Sequence, residues 1–180
     1  MDPAIRADHD ELRSLVLEAF DGVDVGGVEV RLERCRGSAD SFTGRAYPEP
    51  PRRPKPAEGT RYLVRLVVPT ILRNRAYPKT YRYRGRSTAP WITVHDWRER
   101  LVALAAHEAY HVVQFREGLR RSEVVAERWA ERILASWRAS QGQTATAGRH
   151  LALVVDPDAR AAAFVTPDRS QPLVQLSLWP

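Results

Sequence analysis

The chain has 180 residues, 43% of them hydrophobic, and carries 28 Lys and Arg against 22 Asp and Glu for a formal net charge of +6. That length suits one domain, residues 1–180, with its own core, and that apolar share suits a globular chain. No run of 18 apolar residues argues for a membrane span, no secretory signal follows Met1-Asp2-Pro3-Ala4, and the single Cys35 leaves no internal disulfide, so a cytoplasmic setting is expected.

Asp10 to Phe20 reads as a first helix, with Leu12, Leu15, Val16 and Ala19 on one face. Gly22, Gly26 and Gly27 break it. Val28, Val30 and Leu32 then alternate with Glu29, Arg31 and Glu33 as a half-buried strand, in which Cys35 is an ordinary strand residue. Residues 48–59 repeat Pro and charge and read as a surface loop with polyproline character. Arg61 to Val68 is an apolar strand closed by Pro69. Tyr81 to Arg84 and Trp91 to Val94 read as further strands. A long helix is expected from Trp97 to Glu117, capped by Asp96 and ended at Gly118. Ser122 caps a second helix, in which Val124, Ala126, Ala130, Ile133 and Leu134 can bury. Residues 140–149 form a small polar linker. The tail, residues 150–180, holds strand candidates at Leu151–Val155, Ala162–Val165 and Leu173–Leu178 between Asp-Pro and Thr-Pro turns. The order gives an α+β layout: one helix, a small mostly antiparallel sheet, then two helices joined by a short turn and therefore antiparallel.

The long helix contains His107-Glu108-Ala109-Tyr110-His111, an H-E-x-x-H run. Residues four apart share one helix face, so both imidazoles point the same way. Two His at that spacing can hold one Zn²⁺, with the intervening Glu as general base toward a water that the metal activates. The uncharged flank of Leu104, Ala105, Ala106, Val112 and Val113 suits a helix buried beneath a sheet, where an unpaired charge is costly. A zinc site of this kind needs a third protein ligand. The second helix returns a Glu-bearing face, with Glu123, Glu127 and Glu131, toward the His pair.

The run His107 to Gln114 together with Glu123-Val124-Val125-Ala126-Glu127 resembles the gluzincin metallopeptidases, and more narrowly the small single-domain minigluzincin and DUF4157-like bacterial or phage proteins. The resemblance covers residues 97–138. It implies a zincin-like fold, one Zn²⁺ per chain, His107, His111 and Glu123 as ligands, Glu108 as catalytic base, and Glu127 as the partner that orients His107. It also implies a peptide or protein substrate added as a strand at a sheet edge, for which Arg61–Val68 and Tyr81–Arg84 are candidates. Two features depart from the pattern. Glu127 stands where Asp is usual, and only eleven residues separate His111 from Glu123. In an ideal hairpin Glu127 lies nearer the level of the His pair, so the register with Glu127 as ligand and Glu131 behind it stays open.

The expected chemistry is metal-assisted hydrolysis of a peptide bond, with Glu108 taking a proton and passing it to the leaving amine. No oxyanion donor is assigned; His95, His150, Tyr83 and Tyr110 are the available side chains, each more readily structural. Three other classes stand beside the peptidase. One is a silent zincin-like binding protein, one a phage assembly component, and one a nucleic-acid-associated protease. The last would use Arg73, Arg75, Lys79, Arg82, Arg84 and Arg86 interleaved with Tyr77, Tyr81 and Tyr83, the composition of a single-strand groove. An exposed strand face with alternating Tyr and Arg is the favoured account of that stretch.

Overall fold

The computed structural model describes residues 5–6, 8–35, 42–51, 55–69, 71–72, 77–82, 88–142 and 175–178. In chain order these form β1 (Ile5–Arg6), α1 (His9–Ala19), β2 (Val28–Cys35), β3 (Thr43–Tyr47), β4 (Tyr62–Pro69), β5 (Ile71–Leu72), β6 (Lys79–Tyr81), β7 (Ile92–Val94), α2 (Trp97–Arg116), α3 (Glu123–Ser140) and β8 (Gln175–Leu178). The architecture is α+β. The main sheet has the order β3-β4-β2-β8, and β1-β5 and β6-β7 are separate two-stranded pairs. Three of the five pairings are antiparallel; the two parallel ones both involve β2, flanked by β4 and β8.

Helix α1 starts at Asp8, whose carboxylate accepts from the Asp10 N–H, and buries the expected stripe of Leu12, Leu15, Val16 and Ala19. Those residues pack with Val30, Leu32, Val64, Leu66 and Val68 of the sheet and with Leu101, Val102 and Ala105 of α2 in one core. Helix α2 is buried around most of its circumference, including Trp97, Ala103, Ala106, Ala109 and Val112. Its alanines let neighbouring elements approach closely, and Ala126 and Ala130 do the same from α3. No helix among the described residues is long and apolar enough to cross a membrane.

Strand β2 departs from simple alternation. Val28, Val30 and Leu32 are buried, but so are Glu29 and Arg31, each 3% exposed. The end of the Pro-rich stretch, from Lys55 to Thr60, lies across that second face. Glu29 accepts from the Ala57 N–H at 2.8 Å and from the Thr60 hydroxyl at 3.0 Å, and Arg31 donates to the Lys55 carbonyl at 3.1 Å. Arg31 also bonds Glu29 at 2.7 Å, so the buried charges are compensated. Part of the expected surface loop is thus a polar cover for the sheet.

The strand expected at Tyr81–Arg84 instead runs Lys79–Tyr81 and pairs with β7; Tyr83 and Arg84 lie outside the described residues, as do the candidates Leu151–Val155 and Ala162–Val165. Gln175–Leu178, within the expected Leu173–Leu178, extends the main sheet at the edge opposite β3.

Candidate metal centre

Asp96 caps α2, accepting from the Glu99 N–H at 2.9 Å, and the helix runs unbroken through His107 and His111. Their rings meet edge to face with centroids 4.8 Å apart, and their Nε2 atoms are 3.1 Å apart. The helix ends in a left-handed Gly118, φ 63°. The Leu119 N–H then donates back to the Gln114 carbonyl at 2.8 Å, the closure that a glycine at this position permits. Ser122 caps α3, which makes Glu123 its first residue. The Glu123 Oε2 atom lies 3.1 Å from His107 Nε2 and 3.3 Å from His111 Nε2. Donors bound tetrahedrally at ordinary zinc–ligand lengths stand roughly 3.4 Å from one another. Two imidazole nitrogens and one carboxylate oxygen at these separations could therefore hold a single metal ion of zinc-like size.

The protonation states fit as well. Burial, then the proximity of His111, pushes the His107 imidazole down to about 4. Burial also lowers His111, against the hydrogen bond to Gln114 and the charge of Glu123. Burial raises the Glu123 carboxyl, but the charges of His111, Arg121 and His107 outweigh it and hold the group below its ordinary value. Arg121 reaches Glu123 Oε1 at 2.9 Å. Near neutral pH the cluster thus presents two neutral imidazoles and one carboxylate, the donor state a divalent metal requires.

Behind the cluster, Glu127 Oε1 is 3.5 Å from His107 Nδ1, so Glu123 faces the convergent nitrogens and Glu127 faces the back of the first ring. Burial pushes Glu127 up to about 7, opposed by the charge of Arg100. Arg100 in turn lies 3.9 Å over the Tyr81 ring. Glu131 is exposed. The alternative register, with Glu127 toward the metal and Glu131 behind, is not the one adopted.

Glu108 packs against β3. A Cβ built on Gly44 would sit 2.7 Å from Glu108 Cγ and 2.8 Å from its Oε1, so the carboxyl is accommodated by a missing side chain. Burial pushes Glu108 up to about 7, opposed first by a hydrogen bond from the Ala46 N–H. Its Oε2 is buried with no partner.

Strand β3 corrects the expected edge. Tyr62–Pro69 is internal, flanked by β2 and β4's other neighbour β3. The edge beside Glu108 is Thr43–Tyr47, a five-residue strand (TGRAY) too short and too glycine-broken to be recognised by alternation. Gln114 was likewise overlooked. It follows His111 by three positions, a spacing that places it on the same face, and its Oε1 lies 2.8 Å from His111 Nδ1.

Of the suggested oxyanion donors, His95 belongs to another cluster: its Nδ1 lies 3.1 Å from Glu99. Tyr110 packs on Trp129, with ring centroids 5.3 Å apart. His150 and Tyr83 lie outside the described residues. In the Arg/Tyr stretch, Arg82 lies 4.6 Å over the Trp91 ring, Lys79 lies 6.0 Å over Tyr77, and Tyr81 turns toward Arg100; Arg73, Arg75, Arg84 and Arg86 lie outside the described residues.

No family model, curated protein or solved structure matches the chain. Geometry and charge alone bear on its function.

Proposed function

We propose that this chain is a small zincin-like metallopeptidase of gluzincin type, in which His107, His111 and Glu123 hold one Zn²⁺ and Glu108 is the general base for peptide-bond hydrolysis. The observation that carries this is the convergence of two Nε2 atoms and Glu123 Oε2 at 3.1 to 3.3 Å, with a fourth ionisable side chain, Glu108, next to His107 in the chain and packed against the edge strand β3.

A bound zinc ion supplies Lewis-acid chemistry, polarising a carbonyl and acidifying a water. Glu108 moves the protons. With its carboxyl pushed up to about 7, it exchanges a proton near neutral pH at its partnerless Oε2 atom, first as acceptor and then as donor to the leaving amine. His107 Nδ1 is buried without a hydrogen-bond partner, and Glu127, 3.5 Å behind it, is the group placed to take that N–H and fix the imidazole once it closes in. The outer edge of β3 runs beside Glu108, and an extended substrate added there pairs through its main chain with little sequence demand.

Elemental analysis of the purified protein tests the metal directly, with about one zinc per chain expected for a three-ligand site. An unfolded protein substrate such as casein tests the chemistry. Cleavage that is lost on chelation, restored by zinc and absent in Glu108→Gln supports the proposal. Protein that cannot be loaded with zinc, or a Glu108→Gln variant with full activity, would overturn it.

A further inference from the structure

Gln114 is 2% exposed, and its side-chain amide has three neighbours. Oε1 lies 2.8 Å from His111 Nδ1 and accepts from the Ser122 N–H at 3.3 Å. Nε2 donates to the Ser122 carbonyl at 3.5 Å. The amide thus faces both halves of the Ser122 backbone, and the N–H half fixes which way it is turned. The Ser122 N–H requires an acceptor, whereas its carbonyl already takes the Ala126 N–H at 3.1 Å, so the N–H places the oxygen on the His111 side. An oxygen 2.8 Å from Nδ1 requires the proton there, which leaves Nε2 bare.

The same residue closes the turn with its main chain, since the Gln114 carbonyl accepts from Leu119. Ser122 is the cap of α3, and Glu123 follows it directly. One buried side chain therefore touches a ring that faces the proposed metal position and the residue from which the third ligand projects.

We infer that Gln114 is a positioning residue for the metal centre: it holds His111 as the Nδ1–H tautomer and clasps the start of α3, so that His111 Nε2 and Glu123 Oε2 are aligned before metal arrives. The inference rests on the metal-site proposal above. Its energetic logic is preorganisation. Without the clasp, the His111 ring is free to take the other tautomer and Glu123 is free to swing with the end of its helix, and zinc must then select one arrangement from several. Groups that orient ligands in this way contribute about 10- to 100-fold in metal affinity.

Two readouts test it, and neither needs catalytic activity. The first is the ¹⁵N spectrum of the histidine rings in metal-free wild-type protein at neutral pH. His111 as the Nδ1–H tautomer is expected; His111 as the Nε2–H tautomer would overturn the inference whatever a variant does. The second is the zinc dissociation constant, measured by chelator competition, for wild type, Gln114→Leu and Gln114→Glu. Gln114→Leu should bind zinc about 10- to 100-fold more weakly. Gln114→Glu keeps an acceptor for both His111 and the Ser122 N–H and should recover most of that loss. Equal affinity in wild type and Gln114→Leu would sink the positioning role and leave the metal site standing. Wild-type protein that takes up no zinc would remove the metal site itself, and the role of Gln114 with it.

Discussion

A methyl group added at Gly44 would stand 2.7 Å from Glu108 Cγ and 3.0 Å from Leu104 Cδ1. Neither neighbour can yield easily, because Glu108 is 4% exposed and its carboxyl is tied to the Ala46 N–H. Gly44→Ala should therefore displace either the carboxyl or the edge strand. The expected stability loss is about 1–3 kcal/mol, the usual cost of overpacking. With Glu108 as the proposed base, the expected fall in kcat/KM is larger, on the order of 100-fold, because a catalytic group moved by an ångström loses its alignment. Thermal melts and peptidase kinetics on the same variant separate the two effects, and undiminished turnover would show that Glu108 does not need this position. The comparison with His111→Ala is useful here. That variant should lose zinc outright, whereas Gly44→Ala should keep it.

At the scale of the elements, α2 and α3 are tied at their far ends by Glu99 and Arg138. The Glu99 carboxylate, 3% exposed, accepts from the Arg138 guanidinium and from the His95 N–H at 2.7 Å, and Arg138 also donates to the Thr93 carbonyl at 2.7 Å. Burial raises the Glu99 carboxyl, but the hydrogen bonds from Arg138 and His95, with their charges, outweigh it and hold the group below its ordinary 4.5. A carboxyl depressed in the folded state contributes stability that is present above 4.5 and is lost as pH falls through the lowered folded value. The urea midpoint of the wild type should therefore drop on acidification from about pH 5 to pH 3. Arg138→Ala leaves the carboxylate buried without its main partner, at a cost of about 3–5 kcal/mol at pH 7, and its acid-limb loss should be shallower. A constant offset between the two proteins at every pH would show that Arg138 acts by packing and not through the charge.

These same elements show what was readable in the sequence. The caps Asp96 and Ser122, the stop at Gly118 and the i,i+4 His pair are local signals, and each fell where local physics puts it. The helix hairpin followed from them; the register that brings Glu123 and not Glu127 to the two Nε2 atoms did not, because it depends on how the turn closes. Strand β3 carries no such signal. TGRAY is defined by the sheet beside it and by Glu108, both distant in sequence, and Gly44 is needed only because α2 passes close. Glu29 and Arg31 mislead for the same reason: their alternation says exposed, and the crossing of residues 55–60 buries them. Gln114 was legible in principle by its spacing from His111, but its contacts to Ser122 depend on how the turn closes.

For the molecule as a whole, the proposed metal centre has an unusual proton balance. His107 is lowered to about 4 from 6.5 and His111 is lowered too, while Glu108 and Glu127 are raised from 4.5 to about 7. The signs oppose each other. Each raised carboxyl stabilises the fold below 4.5 and loses that contribution as pH climbs through about 7. The lowered His107 imidazole does the reverse, stabilising above 6.5 and losing that contribution as pH falls toward about 4, and His111 shifts in the same direction. Between 4.5 and 6.5 folding in effect moves protons from the histidines to the carboxyls, and the two contributions to the pH dependence of the metal-free protein oppose each other. Zinc breaks the balance, because a nearby cation favours the ionised carboxylates. Zinc affinity should accordingly rise between about pH 5 and pH 7 and flatten above, with protons released by Glu108 and Glu127 and not by the ligand histidines. Calorimetry in buffers of different ionisation enthalpy counts those protons. Glu127→Gln should release fewer than wild type at pH 6, and an unchanged count would place the protons on the imidazoles instead. The same linkage sets the effect of removing the metal: chelation should lower Tm by an amount that grows with pH up to about 7, since the stabilisation follows the logarithm of free zinc over its dissociation constant. A chelation effect of constant size from pH 5 to pH 8 would mean that Glu108 and Glu127 do not hold their protons in the metal-free fold.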